Sequence, residues 1–378
     1  MATDNNNKVL NVPNLRFPEF GGEWEREKLK DKCSFYSGGT PSSSNKSYYN
    51  GEIPFIRSGE ISGDSTELFL SEFGLNNSSA KMVDIGDLLL ALYGATSGQI
   101  AISKIRGAIN QAILCIKSSY DNIFLKSVWE KHVDKTLQAY LQGGQGNLSA
   151  DIVKNLSFYF PSLDEQNKIS KLIVLIDERI ATQNKIIEDL KKLKVAIRDK
   201  QLNTIRKHYG LNYQICDLLD YEQPTKYVVT DTEYSEDRSK TPVLTANKAF
   251  ILGYTDESFG VYDKGACIIL DDFTLDCKYV DFPFKVKSSA IKILTVKNGC
   301  SLRYVYEYLN YMNLETTEHK RHYISEIEPM IIAYPTDKKG IDDFNNIMSS
   351  FESKIEIENK YLQSLLTQKV YLLSNMFI

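Results

Sequence analysis

Residues 163–201 read LDEQNKISKLIVLIDERIATQNKIIEDLKKLKVAIRDKQ, and residues 338–376 read KKGIDDFNNIMSSFESKIEIENKYLQSLLTQKVYLLSNM. The first stretch carries Ile169, Ile173, Ile176, Ile180, Ile187, Leu190 and Ile197, with Gln183, Lys194 and Gln201 completing the series. The second carries Phe344, Met348, Phe351, Ile355, Leu362, Leu365, Leu372 and Met376, with Glu358 and Lys369. Each position of the second series lies 175 residues after its counterpart (344 − 169 = 175). Steps of four and three alternate, which is the heptad rhythm of a coiled-coil seam. The polar breaks coincide as well, Gln183 with Glu358 and Lys194 with Lys369. Two long helices in one register predict a duplicated chain.

Neither helix can bury its stripe alone. The simplest solution is an antiparallel pair within the chain, with one globular domain at each end. The alternatives are a helix pair that only dimerises the chain, or stripes that pack on their own domains. The first helix has local causes. Ser162-Leu163-Asp164-Glu165 is a capping box, in which the Ser162 hydroxyl accepts the Glu165 N–H and the Glu165 carboxylate reaches back. Asp164 and Glu165 complement the positive end of the helix dipole, and Lys200, Arg206 and Lys207 the negative end. No Pro or Gly falls between Leu163 and His208, and Gly210 marks the stop. At about 1.5 Å per residue this helix is on the order of 65 Å long. The second starts less cleanly: Thr336 is the candidate cap, Lys339 stands where the acid is wanted, and Gly340 weakens the first turn.

Outward from the helices, the two halves repeat one order of elements. In the first half Gly38-Gly39-Thr40-Pro41 is a turn, followed by a polar loop from Ser42 to Asn50. Strands are expected at Ile53 to Arg57, Leu88 to Tyr93, Gln99 to Ser103, Gln111 to Lys117 and Leu156 to Phe160. Gly94-Ala95-Thr96-Ser97-Gly98 is a small-residue loop. A helix carrying Leu125, Val128, Trp129, His132, Leu137 and Leu141 stops at Gly143-Gly144-Gln145-Gly146. In the second half Thr241 to Thr245 answers Ile53 to Arg57, and Gly265 to Leu270 answers Gly86 to Ala91. Ala290 to Leu294 answers Ala112 to Ile116, and an aromatic helix from Ser301 to Met312 answers the Trp129 helix. Apolar frames match while the loops between them diverge, as expected of a duplicated scaffold with separately chosen binding loops. The fold class is therefore α+β: two pseudo-repeated α/β domains separated by a pair of long antiparallel coiled-coil helices. The boundaries are an arm at 1–22, a domain at 23–160, a helix at 161–209, a domain at 210–335 and a helix at 336–378.

Length and composition agree. A chain of 378 residues exceeds one ordinary core. Apolar content of 42% and charged content of 25% are those of globular protein. No apolar run approaches the length that spans a bilayer, and the polar, Asn-rich start from Met1 to Lys8 has no signal-peptide core. A cytoplasmic protein is expected. Cys33, Cys115, Cys216, Cys267, Cys277 and Cys300 are scattered without a CxxC pair, so reduced, mostly buried thiols are expected. A net charge of −4 and a pI near 5.8 speak against a free-standing nucleic-acid binder, though not against one with a local basic surface or a basic partner.

No active site can be assembled. There is no GxxxxGK[ST] loop, no strand–GxGxxG–helix unit and no Pro-Pro pair of the amino-methyltransferase kind. Pro161-x-x-Asp164-Glu165-x-x-Lys168 has a superficial likeness to a nuclease set, but its carboxylates serve the helix N-terminus. Asp271, Asp272 and Asp276 read as a solvated turn. His319 and His322 form an HxxH with Lys320 and Arg321 between them and no acidic or Cys partner, so no metal is expected there. What the variable loops do offer is DNA-type contacts. In the first half these are Lys46, Tyr48, Arg57, Ser58, Tyr93, Thr96, Ser97, Gln99 and Lys104. In the second they are Arg238, Lys240, Thr245, Asn247, Lys248, Lys278, Lys320, Arg321 and His322. Arg and Lys read guanine edges, Asn and Gln adenine edges, and hydroxyls and Lys hold phosphates.

At this point the chain resembles a known family. Leu15-Arg16-Phe17-Pro18-Glu19-Phe20 with Trp24 and Lys28-Leu29 looks like the opening of the specificity (S) subunits of type I restriction-modification systems. Gly38-Gly39-Thr40-Pro41, Ile53-Pro54-Phe55-Ile56 and Gly86-Asp87-Leu88-Leu89 are similar too. Phe160-Pro161-Ser162-Leu163-Asp164-Glu165-Gln166-x-x-Ile169 resembles the family's signature before its central helix. Pro242-Val243-Leu244-Thr245 with Ile251-Leu252-Gly253-Tyr254 resembles a common second recognition domain. The resemblance implies a non-catalytic subunit with two target-recognition domains, each reading half of a split DNA target. It implies that the helices set the gap and dock two methyltransferase subunits, which bind S-adenosylmethionine, and that motor-nuclease subunits can join. The second helix entry, Thr336 to Gly340, departs from the signature. The rival readings are a single-chain nuclease or methyltransferase, and a coiled-coil adaptor with tandem β-rich binding domains and no DNA.

Overall fold

In a computed structural model the described residues are 10–141, 148–247, 249–297, 299–316 and 320–378. The start from Met1 to Lys8, the stop at Gly143-Gly144-Gln145-Gly146, Lys248 and His319 lie outside them. Four helices carry the architecture: α1 (Asn122–Leu141), α2 (Leu163–Tyr209), α3 (Leu302–Met312) and α4 (Lys338–Met376). The chain divides into two compact units. The first takes residues up to Asn184 together with Lys360–Ile378, and the second takes Lys185–Asn359. Each unit therefore owns one segment of α2 and one of α4.

The ends of these helices follow local chemistry, with two corrections. Ser162 Oγ accepts the Glu165 N–H at 3.4 Å, as the capping box requires. The Glu165 carboxylate does not reach back. It takes a two-pronged pair from the Arg16 guanidinium at 2.8 and 2.7 Å, and Glu165 is only 2% exposed. A charge-assisted fork is stronger than a bond to a neutral amide. Gly210, at φ +67°, donates to the Arg206 carbonyl and ends α2. The cap of α4 is Asp337, not Thr336: its Oδ1 accepts the Gly340 N–H at 2.7 Å. The Tyr209 hydroxyl donates to the same carboxylate, and with the Gly340 bond it holds the Asp337 pKa below its ordinary value.

In the first unit the strands are β1 (Glu25–Lys28), β2 (Cys33–Ser37), β3 (Tyr49–Ile56), β4 (Leu68–Leu70), β5 (Lys81–Val83), β6 (Leu88–Ala91), β7 (Ile100–Ile102), β8 (Gly107–Ile109), β9 (Ile113–Ser118) and β10 (Ser157–Phe160). They form an antiparallel ribbon β1-β10, a sheet ordered β2-β9-β6-β7 and a sheet ordered β4-β3-β8-β5, in which β3 and β8 are parallel. β3 begins at Tyr49, within the stretch expected to be loop. One core cluster joins Trp24, Phe124, Trp129 and Phe160 to Ile169, Ile173 and Ile176 of α2 and to Leu365, Leu372 and Met376 of α4. Each such side chain, fully buried, contributes roughly 1.5–3 kcal/mol.

In the second unit the strands are β11 (Tyr213–Gln214), β12 (Leu219–Glu222), β13 (Thr241–Leu244), β14 (Ile251–Thr255), β15 (Cys267–Asp271), β16 (Cys277–Val280), β17 (Lys285–Val286), β18 (Ile291–Val296) and β19 (Ile331–Ile332). The ribbon is β11-β19, and the sheets are β12-β18-β15-β16 and β14-β13-β17, with β13 and β17 parallel. Leu202 of α2 and Phe344 and Met348 of α4 share a core with Tyr304 and Tyr308 of α3. Residue numbers rise along α2 as they fall along α4: Lys194 meets Glu352, and Tyr209 meets Asp337.

The duplication is thus one of topology, down to the parallel pair. Phe55 faces Ala108 in one unit and Val243 faces Lys285 in the other. One equivalence shifts. Ala91 pairs with Ile113 where Asp271, not Leu270, pairs with Ile291, so the second copy carries an extra residue between Gly265 and its strand. All the seam positions are buried or half-buried, and in each unit the stripes pack on that unit's own globular core as well as on the facing helix. Cys115, Cys267 and Cys277 are buried and the other three cysteines half-buried, all as thiols. Burial pushes Cys267 and Cys277 each up to about 12. Among the described residues no helix is long and apolar enough to cross a membrane.

Candidate nucleic-acid interface

The parallel pair sorts the candidate residues. In the first unit β3 and β8 end side by side, with the Asn110 N–H donating to the Ile56 carbonyl at 3.3 Å. Arg57 and Ser58 leave the sheet at this edge. β6 ends there too, because the Leu92 N–H donates to the Ala112 carbonyl at 2.8 Å. The loop that follows carries Tyr93, Thr96, Ser97 and Gln99. A cleft of about 420 Å³ is lined by Ile61 and Ser62 from the Arg57 turn, by Ser97 and Gln99 from the loop, and by Trp129 and Asp134 from α1. The structure therefore brings the Arg57 turn and the Thr96 loop together.

That loop is held firmly. The Trp129 indole donates to the Gly98 carbonyl at 2.7 Å, and Ser97 Oγ donates to the Leu92 carbonyl at 2.9 Å. Gly98 has φ +86°, and a Cβ there would lie 2.9 Å from Val133 Cγ2 and 3.0 Å from Leu137 Cδ1. Only glycine fits this backbone and this approach. The loop body is thus fixed on α1, and Gln99 stays exposed. Arg57 is oriented as well: its guanidinium meets Glu60 at 3.0 Å and Glu67 at 2.5 Å. Burial opposes ionisation of Glu60, but bonds from Arg57 and from the Glu67 and Arg57 amides outweigh it and lower the pKa.

The second unit builds the same edge. Lys287 N–H donates to the Leu244 carbonyl at 3.0 Å, and Asp272 N–H to the Ala290 carbonyl at 2.8 Å. Thr245 and Asn247 leave here, as Arg57 and Ser58 do in the first unit. The segment after α3 returns to this edge, where His322 N–H meets the Asp272 carbonyl at 3.0 Å. In the first unit Leu148 N–H meets the Leu92 carbonyl at 2.9 Å. Lys320 and Arg321 are exposed beside it, and Lys278 is half-buried on β16.

Other candidates do not join these sets. Lys46 and Tyr48 precede β3, and Lys104 precedes β8, at the opposite end of the parallel pair. Arg238 and Lys240 precede β13 in the same way, and Lys240 is paired with Asp256 at 2.8 Å. Two candidates are buried. Thr245 is 7% exposed, and His322 is 2% exposed, with its ring bonded to Thr316 and Glu326 at 2.8 Å each. His322 is a structural residue, because its backbone and ring are both committed. The solvated-turn reading of Asp272 is likewise corrected. At 1% exposure it lies 3.4 Å from Lys292 and accepts the His322 and Tyr323 N–H groups at 3.1 and 2.7 Å. Among the described residues no cluster of three His, Cys, Asp or Glu is placed to hold a metal.

The edge also holds residues that the sequence reading passed over. Thr40 donates to Gln111, both exposed, where the Gly38-Gly39 turn meets the end of β8. Lys287 is exposed at the position matching Asn110. Gln111 sits in a stretch that reads as strand, and Lys287 follows a strand too short for any periodicity to mark.

Residues 21–192 match the family model described as "Type I restriction modification DNA specificity domain". Over that stretch, a little under half of its length, the chain is similar to the specificity subunits of type I restriction-modification systems. Relatives include the EcoR124I/EcoR124II specificity subunit of Escherichia coli, 48% identical over 125 residues. That match spans 32% of this chain and 31% of the relative, about a third of its length. The MjaIX specificity subunit of Methanocaldococcus jannaschii is 24% identical over 298 residues, 74% of this chain and 67% of the relative. Among solved structures, the type I S subunit from M. genitalium superposes with a TM-score of 0.57 at 14% identity, covering 97% of this chain and 99% of that one. A chain from a study of type I complex assembly and conformational transition gives 0.56 at 14% identity, covering 93% and 96%. The likeness to these two shows the S-subunit fold. The repeated edge keeps one backbone frame in the two units while its side chains differ.

Proposed function

We propose that this chain is the non-catalytic DNA-recognition subunit of a type I methyltransferase/restriction enzyme, each unit reading one half of a split duplex target. The observation that carries this is the repeated edge. One backbone frame, bonded at equivalent atoms, presents Arg57, Ser58, Thr96 and Gln99 in one unit and Asn247, Lys287, Lys320 and Arg321 in the other. Two copies of one scaffold with different edge chemistry suit two different half-sites. In this reading the boundaries of the recognition domains are 23–160 and 210–335, the stretches 161–209 and 336–378 are the spacer, and the protein works in the cytoplasm.

The same reading gives α2 and α4 two tasks, setting the gap and docking two methyltransferase subunits that carry S-adenosylmethionine, with motor-nuclease subunits joining them. Apolar side chains left exposed on these helices support docking: Leu175, Val370 and Tyr371 in the first unit, and Leu193, Val195 and Ile357 in the second. An acidic chain of this kind depends on partners for much of its phosphate neutralisation, so binding is weak alone and tight in the complex. The deciding experiment sequences methylated adenines in cells that express this chain with its methyltransferase. A split motif is expected, altered in one half only by Arg57→Ala. A continuous motif, or none, would refute the reading.

A further inference from the structure

The polar breaks in the two seams carry a repeated arrangement of charge. In the first unit the Lys369 ammonium of α4 lies 2.8 Å from Asp177 of α2 and 3.5 Å from Glu130 of α1, and Lys126 of α1 lies 2.6 Å from Glu130. In the second unit Lys194 of α2 lies 3.0 Å from Glu352 of α4 and 2.7 Å from Glu307 of α3, and Arg303 of α3 pairs with Glu352. Asp177 and Glu352 carry the same 175-residue offset as the two lysines (352 − 177 = 175). Each lysine therefore ties three helices together: its own, the facing seam helix and the helix of the recognition domain. The roles of α2 and α4 are exchanged between the units.

A uniform heptad seam is degenerate. A slip of seven residues, about 10 Å along the axis, sets apolar residues against apolar residues again. A half-buried ammonium removes that freedom, because any other register strands it and its carboxylates in an apolar seam. Ion pairs in such places stabilise little compared with well-packed apolar residues, and their best-attested use is to specify register. Burial opposes the Lys369 charge, yet Asp177 and Glu130 outweigh it and raise the pKa, so the lysine stays charged.

We propose that Lys194 and Lys369 are positioning residues that key the register of α2 against α4 and hold α1 and α3 on that register, and so fix the gap at which the chain reads its two half-sites. This rests on the bipartite-reader function proposed above. The test expresses the full chain with its methyltransferase, maps methylated adenines, and follows thermal unfolding of the same variants. Wild type is expected to modify sites of a single gap. The Lys194→Met/Lys369→Met chain leaves the buried Glu307 carboxylate without its ammonium and is expected to melt below wild type, while at least one modified site in ten carries a different gap. Lys369→Glu is expected to relax the gap, and Lys369→Glu with Asp177→Lys to restore it. A folded double-Met chain with an unchanged single gap overturns the proposal. Should the double-Met chain not fold, the charge swap decides: restored strictness supports the proposal, and identical behaviour of Lys369→Glu with and without Asp177→Lys overturns it. A wild-type chain with a continuous motif, or none, refutes the parent reading instead.

Discussion

Asp272 and Lys292 lie 3.4 Å apart inside the second unit, at the backbone positions that Leu92 and Leu114 occupy in the first. Leu92 and Leu114 belong to an apolar core cluster, whereas the Asp272 carboxylate also takes the His322 and Tyr323 N–H groups. The ion pair thus anchors the segment carrying Lys320 and Arg321. Asp272→Ala strands a buried ammonium and is expected to cost about 3–5 kcal/mol. Asp272→Leu with Lys292→Leu restores the apolar version and leaves chiefly the Tyr323 N–H unpaired, a loss of about 1–3 kcal/mol. Urea unfolding of the singles and the double reads the difference. Additive losses would show that the two charges are not coupled.

Gly98→Ala tests the loop on α1. The substitution adds a Cβ 2.9 Å from Val133 Cγ2 and forces an L residue to φ +86°, a backbone penalty of about 1–2 kcal/mol. Relief requires the loop to lift from α1, which breaks the bond from Trp129 to the Gly98 carbonyl. The expected result is a blurred first half-site and an intact second one in methylation mapping. Blurring of both halves, or of neither, would mean that the loop does not read DNA.

Much of this was legible in the chain. The heptad steps from Ile169 to Ile197 and their echo at 175 residues found both long helices, because the pattern is long and strictly periodic. The β3, β6 and β9 strands followed from short apolar runs between turn residues. What stayed hidden depends on three-dimensional pairing. Nothing local distinguishes Arg57, which leaves the far end of a parallel strand, from Lys46, which enters the near end. Asp272 looks like one of three solvated acids until Lys292, twenty residues on, is folded against it. Glu165 fits a capping box, and only tertiary contact brings Arg16 to compete for it.

Lys287 and Arg321 are exposed, and among the described residues no carboxylate lies within ion-pair reach of either. On the proposed DNA edge each is positioned to neutralise one phosphate. Replacing either by Ala is expected to weaken DNA binding by the complex at all sequences alike. It should also lower the slope of log K against log salt by about 0.9. Arg57 already faces Glu60 and Glu67, so Arg57→Ala is expected to change which base is read more than the salt slope. Titrations from 50 to 200 mM salt (about fourfold) separate the two behaviours. An unchanged slope for both Lys287→Ala and Arg321→Ala would take these residues off the phosphate path.

Acid should weaken the second unit through Glu257 and Glu222. Burial opposes the Glu257 charge, but bonds from Lys285 and Thr230 and two backbone amides overcome it and bring the pKa down to about 2. Glu222 is brought to about 2 against the same opposition by Lys226, Lys264 and Tyr227. Both groups are ordinarily at 4.5. Between these values the unfolded chain binds more protons than the folded one, so stability falls as pH falls. The contribution is complete above 4.5 and lost on the way to about 2. Melting temperatures measured over that window should therefore drop steeply for the wild type. Glu257→Gln removes one titrating group, leaving Lys285 buried beside a neutral amide: its melting temperature should be lower at neutral pH and its acid limb shallower. An acid limb as steep as that of the wild type would show that the Glu257–Lys285 pair does not set the acid sensitivity of this unit.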